Sequence, residues 1–155
     1  MFYNTGFEAL GAAIFSAFSA QVLKVVFYFF THRKFNFKIF TTTGGMPSSH
    51  TSGVITLATC VGLIEGYNSI AFAIAAGFAI VVMYDAAGLR RAAGKMAATL
   101  NRLVKETTDH TGSGTPYDAL KELLGHTPFE VFCGALYGIA VAYFIHYLPN
   151  ILRSF

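Results

Sequence analysis

Four long runs of this chain carry almost no charge, and that restricts its fold more than any other feature. They fall at about residues 7–30, 50–64, 67–84 and 129–148. A helix that crosses a bilayer needs about 20 mostly apolar residues, and lipid leaves no water to satisfy an unpaired backbone. Charged residues make up 12% of the 155 and hydrophobic ones 54%, where a soluble domain carries about 25% charge. The expectation is an all-α integral membrane bundle of about four transmembrane helices, with a helical interfacial loop over residues 85–126. Residues 1–155 read as a single membrane domain, because no linker, low-complexity stretch or internal repeat divides them. The second run is short, and Gly44-Gly45-Met46-Pro47 before it is not helix-forming.

Within the more polar stretch, Ala86 to Lys105 reads as a surface helix, with Leu89, Met96, Leu100 and Leu103 at helical spacing. Thr107 to Pro116 reads as a loop, and Tyr117 to Leu124 as a further short helix. The N-terminus lacks the basic n-region of a secretory signal. Cys60 and Cys133 lie inside apolar runs, where a thiol packs as a small residue and a disulfide framework is not expected. No Cys/His cluster has zinc-site spacing and no glycine-rich nucleotide loop is present, so no metal, cofactor or nucleic acid is expected.

With four crossings, the loops after the first and third helices share a face. Those loops and their edges hold Lys24, Arg33, Lys34, Lys38, Arg90, Arg91, Lys95, Arg102, Lys105 and Lys121, ten of the eleven lysines and arginines. The positive-inside rule puts that face in the cytoplasm and both termini outside, in a cytoplasmic (plasma) membrane. A phosphate-binding site would create the same asymmetry whichever way the protein faced.

Four local signals meet at this face. In Gly44-Gly45-Met46-Pro47-Ser48-Ser49-His50-Thr51, glycines permit close backbone approach and Ser48 or Ser49 can cap the helix that follows. A helix start of this kind binds phosphate, and His50 there can donate a proton; the plainer reading is a cap with an interfacial histidine. In Gly125-His126-Thr127-Pro128-Phe129-Glu130, the carboxylate of Glu130 can hold one ring nitrogen of His126 and leave the other to attack. Thr127-x-x-Glu130 is equally a capping box with proline at the first helical position. In Asp85-Ala86-Ala87-Gly88-Leu89-Arg90-Arg91, the two arginines can grip phosphate oxygens or lipid headgroups, and Asp85 reads as a partner or cap. Lys24 sits inside an apolar helix end, where a charge marks function by default unless it snorkels to the interface. His32, His110 and His146 have no motif around them and read as surface or interface residues. Two histidines, several cations and a helix start make a phosphoryl-transfer site that needs no metal.

Met46-Pro47-Ser48-Ser49-His50 resembles the Pro-Ser-Gly-His motif of the type 2 phosphatidic acid phosphatases, relatives of the vanadium-dependent haloperoxidases. His126-x-x-x-Glu130, leading into Val131 and Gly134-Ala135-Leu136-Tyr137-Gly138, resembles their last motif, His-x-x-x-Asp before a glycine-containing helix. With Asp85-x-x-Gly-x-Arg-Arg between them, nearly the whole chain is similar to the divergent branch of that superfamily. The resemblance implies His126 as the nucleophile that forms a phosphohistidine, Glu130 as its orienting carboxylate and His50 as the general acid. It implies Ser48, Ser49, Lys24, Arg90, Arg91 and, with longer spacing, Arg33 as phosphate ligands. Three departures stand out: Ser49 replaces the usual glycine, Leu120 occupies the arginine position six residues before the nucleophile, and the chain has fewer helices than the usual six-helix core.

The implied activity is a membrane lipid-phosphate phosphatase or pyrophosphatase, with phosphatidyl phosphates or isoprenyl diphosphates as substrates and membrane lipids around it. A homodimer is one way for four helices to enclose a lipid tail. The rival classes are a non-catalytic lipid-phosphate-binding or transport protein that retains the anion site, and a structural subunit of a membrane complex. Haloperoxidase activity is a more distant alternative.

Overall fold

The computed structural model describes residues 3–33, 45–111, 120 and 126–153. These residues contain no strand. Among them run five α-helices: α1 Gly6–His32, α2 Ser49–Glu65, α3 Ile70–Tyr84, α4 Arg90–Thr111 and α5 Pro128–Arg153. One π turn, Asp85–Leu89, joins α3 to α4. The expectation of an all-α membrane bundle is met. Three stretches are long and apolar enough to cross a bilayer: Gly6–Phe30, Ile70–Thr107 and Pro128–Pro149.

The expected second crossing is α2, and it differs from the other three for a physical reason. Its 17 residues span about 26 Å at 1.5 Å per residue, a little less than the roughly 30 Å of hydrocarbon. It is also the enclosed helix, packed against α1, α3 and α5. With neighbours shielding it from lipid, α2 can carry Thr51, Ser52 and Thr56 on its buried side. The rest of the packing is inverted relative to a soluble protein. Phe7, Ile14, Phe18, Ile74, Val81 and Phe144 point outward, while the largest fully buried side chains are Thr51, Thr56, Cys60, Ser16, Ser48 and Ser52. Small residues inside and large apolar ones outside are what helix association in lipid requires.

The tightest seam lies between α2 and α5. A Cβ added at Gly134 would sit 2.7 Å from the Ser48 carbonyl oxygen, and one at Gly138 would sit 2.6 Å from that of Ser52. This closeness lets the Ser52 hydroxyl donate to the Gly134 carbonyl at 3.1 Å and the Thr56 hydroxyl to the Gly138 carbonyl at 2.9 Å. Gly134-x-x-x-Gly138 is thus a small-residue face matched to Ser48, Ser52 and Thr56 at successive turns.

Three expectations change. Thr107 to Thr111, read as loop from composition, are helical. The Arg102–Glu106 pair at 2.8 Å and the Thr107 hydroxyl bonded to the Leu103 carbonyl carry α4 onward. Leu120 is the described residue of the expected short helix at 117–124, and it is non-helical. His146, read as an interface residue, is buried: its Nδ1 lies 2.8 Å from Glu8 Oε1, with the Tyr3 ring stacked on it. That pair ties the start of α1 to the end of α5, at the end of the bundle opposite His126. His32 and His110 lie outside the residues whose side chains are described.

The seam makes a sharp prediction for reversible unfolding in mixed detergent. Gly138→Ala is expected to lose about 1–3 kcal/mol through overpacking. Gly77→Ala, where an added methyl meets open space, is expected to be neutral or to gain up to about 1 kcal/mol. Equal stability of the two variants would contradict the close α2–α5 contact.

Candidate active site

His126 and Glu130 occupy the start of α5, and both readings of that sequence hold at once. Glu130 Oε2 lies 3.0 Å from His126 Nδ1 and also accepts the Thr127 N–H at 3.1 Å. In return the Glu130 N–H donates to the Thr127 hydroxyl at 3.3 Å. One carboxylate therefore completes the capping box and orients the imidazole. The His126 N–H donates to the Ala86 carbonyl at 3.0 Å, so the π turn after α3 supplies a second anchor. His126 is 3% exposed. With Nδ1 engaged by Glu130, Nε2 is the ring atom left for chemistry.

The start of α2 faces the start of α5. Ser48 caps α2, its Oγ accepting from the Thr51 N–H at 3.4 Å and from the Thr51 hydroxyl at 3.0 Å. The Ser48 N–H donates to the Glu130 carbonyl at 3.3 Å, and its own carbonyl accepts from Ser52. Ser48 is fully buried, so its role is to join the two helix starts. Ser49 is half-buried at the first position of α2, and His50 is exposed at the second. The His50 ring is close enough to His126 to act on it electrostatically, as the weakest of the influences on that ring.

Lys24 comes from the last third of α1 and is 3% exposed. The Gly45 turn covers its alkyl stem: a Cβ at Gly45 would lie 3.2 Å from Lys24 Cδ, and Gly45 has φ +95°, where glycine is favoured. The lysine charge is felt by both Glu130 and His126. Among the described residues it closes no ion pair and no hydrogen bond. A buried ammonium is costly; the charge of Glu130 offsets part of that cost, and an anion at this point would offset more.

Of the residues singled out in the sequence, hydrogen bonds join His126, Glu130 and Ser48, Lys24 and His50 lie within electrostatic reach of His126, and Ser49 opens α2. Arg33 is exposed and ends α1 in a left-handed conformation, its N–H bonded to the Phe29 carbonyl. It lies nine residues, about 14 Å of helical rise, beyond Lys24, and no contact among the described residues joins it to His126. The side chains of Arg90 and Arg91 lie outside the described residues; their backbone opens α4, directly after the turn that anchors His126. Sequence reasoning missed Gly45 as the cover of Lys24 and Thr51 as a partner of the cap. It also missed the Ala86 carbonyl, which no side-chain pattern could signal. Leu120, at the position where the related family has arginine, is pinned to α4: Asn101 bonds its N–H at 2.9 Å and its carbonyl at 2.8 Å.

An all-helical membrane bundle with a carboxylate-held histidine, a second histidine and a buried lysine at one end defines a protein of the type 2 phosphatidic acid phosphatase kind. The chain belongs to the Divergent PAP2 family, which matches residues 6–141. It is similar to the "Uncharacterized membrane protein YuiD" of Bacillus subtilis (strain 168), with 41% identity over 149 residues, covering 90% of this chain and 92% of that one. No solved structure matches it.

Burial holds the His126 ring below the usual histidine range, and the positive charge of Lys24 and the nearby His50 act in the same direction. The Glu130 hydrogen bond opposes them. Nitrogen-detected NMR titration is expected to find His126 still neutral where an exposed histidine is half protonated, near pH 6.5. Glu130→Gln removes the opposing influence, so the His126 midpoint should fall further. A midpoint at or above the ordinary value in the unsubstituted protein would contradict the buried geometry.

Proposed function

We propose that this end of the bundle hydrolyses a lipid phosphate or diphosphate through a phosphohistidine, using the chain's own residues. The observation that carries the reading is His126, buried, held at Nδ1 by Glu130, and set within reach of the charge of the buried Lys24 ammonium. Such a histidine is neutral and oriented for attack, and Lys24 favours a substrate with negative charge.

In the first step His126 Nε2 attacks phosphorus, and the bond from phosphorus to the lipid oxygen breaks. Protonated His50 gives its proton to the leaving oxygen. In the second step neutral His50 takes a proton from water as that water attacks the phosphohistidine. The N–P bond breaks, inorganic phosphate leaves, and His126 and His50 return to their starting states. Lys24 offsets charge on the transferring group. Ser49 and the first turn of α2 hold phosphate oxygens as a helix start does, and Arg90 and Arg91 supply further cations from the start of α4. Glu130 stabilises the neutral tautomer that attacks. By the positive-inside rule the site faces the cytoplasm, in the cytoplasmic membrane.

One observation favours a second reading, in which the site binds or moves a lipid phosphate without hydrolysing it. Leu120 stands where the family has arginine, and Asn101 pins its backbone, so one phosphate ligand of the family is replaced. Turnover separates the two readings.

The purified protein is expected to release phosphate from a lipid phosphate in EDTA, and His126→Ala is expected to abolish this while unfolding like the parent. Unchanged release by His126→Ala would remove the mechanism. In kcat/KM, which reports the first step, His50→Asn should cost about 10²–10⁴-fold on an alkyl phosphate, and much less on p-nitrophenyl phosphate, whose leaving group needs little help from an acid. Because His126 must be neutral to attack, the acid limb of kcat/KM should fall below pH ~6.5.

A further inference from the structure

An apolar groove runs from the candidate site along the bundle, and it rests on the phosphatase reading for its meaning. It lies between α2, α3 and α5, opens toward the surrounding lipid, and has a volume of about 440 Å³. Its upper end is formed by Ile55 and Met83. Ile55 sits one turn below Thr51 and Ser52, and Met83 three residues before Ala86, whose carbonyl anchors His126. Met83 thus lies about 5 Å of helical rise before the Ala86 carbonyl that holds the His126 backbone N–H, which sets this end of the groove on the His126 side of the bundle. Ala76 and Ala79 keep its wall on α3 shallow.

The far end is closed by a ring. Tyr67, on the turn between α2 and α3, packs edge-on to Phe72 with ring centroids 5.0 Å apart. Its ring lies over Gly62, where an added Cβ would collide with Cε1 and Cδ1. Tyr143 from α5 flanks the same end of the groove. Gly62 thus creates the space that lets Tyr67 fold back and stop the groove.

We propose that this groove holds an apolar chain of the substrate and that Tyr67 sets the chain length, so that short-chain substrates are preferred. From Met83 to Phe72 is eleven residues of α3, about 16 Å of helical rise, which matches an extended chain of roughly a dozen carbons. The occupant follows from continuity: a lipid whose phosphate lies at His126 has its tail at the open upper end, and the lateral opening lets it enter from the leaflet.

The test compares dodecyl phosphate, octadecyl phosphate and chainless p-nitrophenyl phosphate on the full-length protein in nanodiscs. The unsubstituted protein is expected to favour dodecyl over octadecyl phosphate by about tenfold or more in kcat/KM. Tyr67→Ala should reduce that ratio to within about threefold by lengthening the groove. Ala76→Phe should lower kcat/KM for dodecyl phosphate about tenfold while leaving p-nitrophenyl phosphate within roughly twofold. Hydrolysis of all three esters with the same profile in parent and variants would overturn the groove and leave the phosphatase reading standing. Failure of the parent to hydrolyse any of them would overturn the phosphatase reading. Thermal stabilisation by dodecylphosphonate and octadecylphosphonate then reads the groove without turnover. A shorter-chain preference that Tyr67→Ala abolishes supports the groove, and equal shifts in both proteins refute it.

Discussion

The close contact of α2 with α5 is the constraint on which the remaining structure depends. Lipid gives no hydrophobic drive for one apolar helix to find another, so packing and interhelical hydrogen bonds must do it. Gly134 and Gly138 remove the side chains that would hold the backbones apart, and Ser52 and Thr56 fill the gap with bonds to carbonyls. The same register brings the Ser48 N–H to the Glu130 carbonyl. A slip of one residue would separate the two helix starts and the imidazoles they carry. Packing in the middle of the bundle and the juxtaposition of side chains at its end thus share one cause.

Burial and charge at that end act together. Glu130 caps α5 and orients His126, so the residue that starts the helix also prepares the ring. The π turn after α3 adds an anchor that a regular helix would not give, because its Ala86 carbonyl receives the His126 N–H. Lys24 is covered by a left-handed Gly45 and surrounded by groups that feel its charge. Of these devices the buried Lys24 ammonium is the one that costs stability, and an anion bound there would offset that cost. The opposite end of the bundle carries its own buried pair, Glu8 and His146, which closes α1 on α5 away from the chemistry.

The fold and much of the site were legible because their signals are local. Charge-free runs of helical length mark the membrane helices, and Thr127-Pro128-x-Glu130 marks the start of α5. Ser48-x-His50 marks the start of α2, and Lys24 announces itself as a charge in an apolar run. What stayed hidden depends on distance in sequence. Nothing near His146 predicts a partner 138 positions away, and composition alone made Thr107 to Thr111 a loop where i,i+4 pairing continues a helix. The central place of α2 was illegible for a related reason. It read only as a short membrane segment, when its shortness and its buried threonines belong to a helix that its neighbours shield.

The account's central claim is that Glu130 leaves Nε2 of His126 as the nucleophile at a shared anion site. Rapid acid-free quenching during turnover of a lipid phosphate, followed by peptide mapping and phosphorus NMR, tests this most directly. The account predicts a phosphohistidine on Nε2 of His126, absent in His126→Ala and accumulating in His50→Asn when the leaving group is p-nitrophenolate. Label on Nδ1, on His50 or on another residue, or sustained turnover with no labelled intermediate, would contradict it.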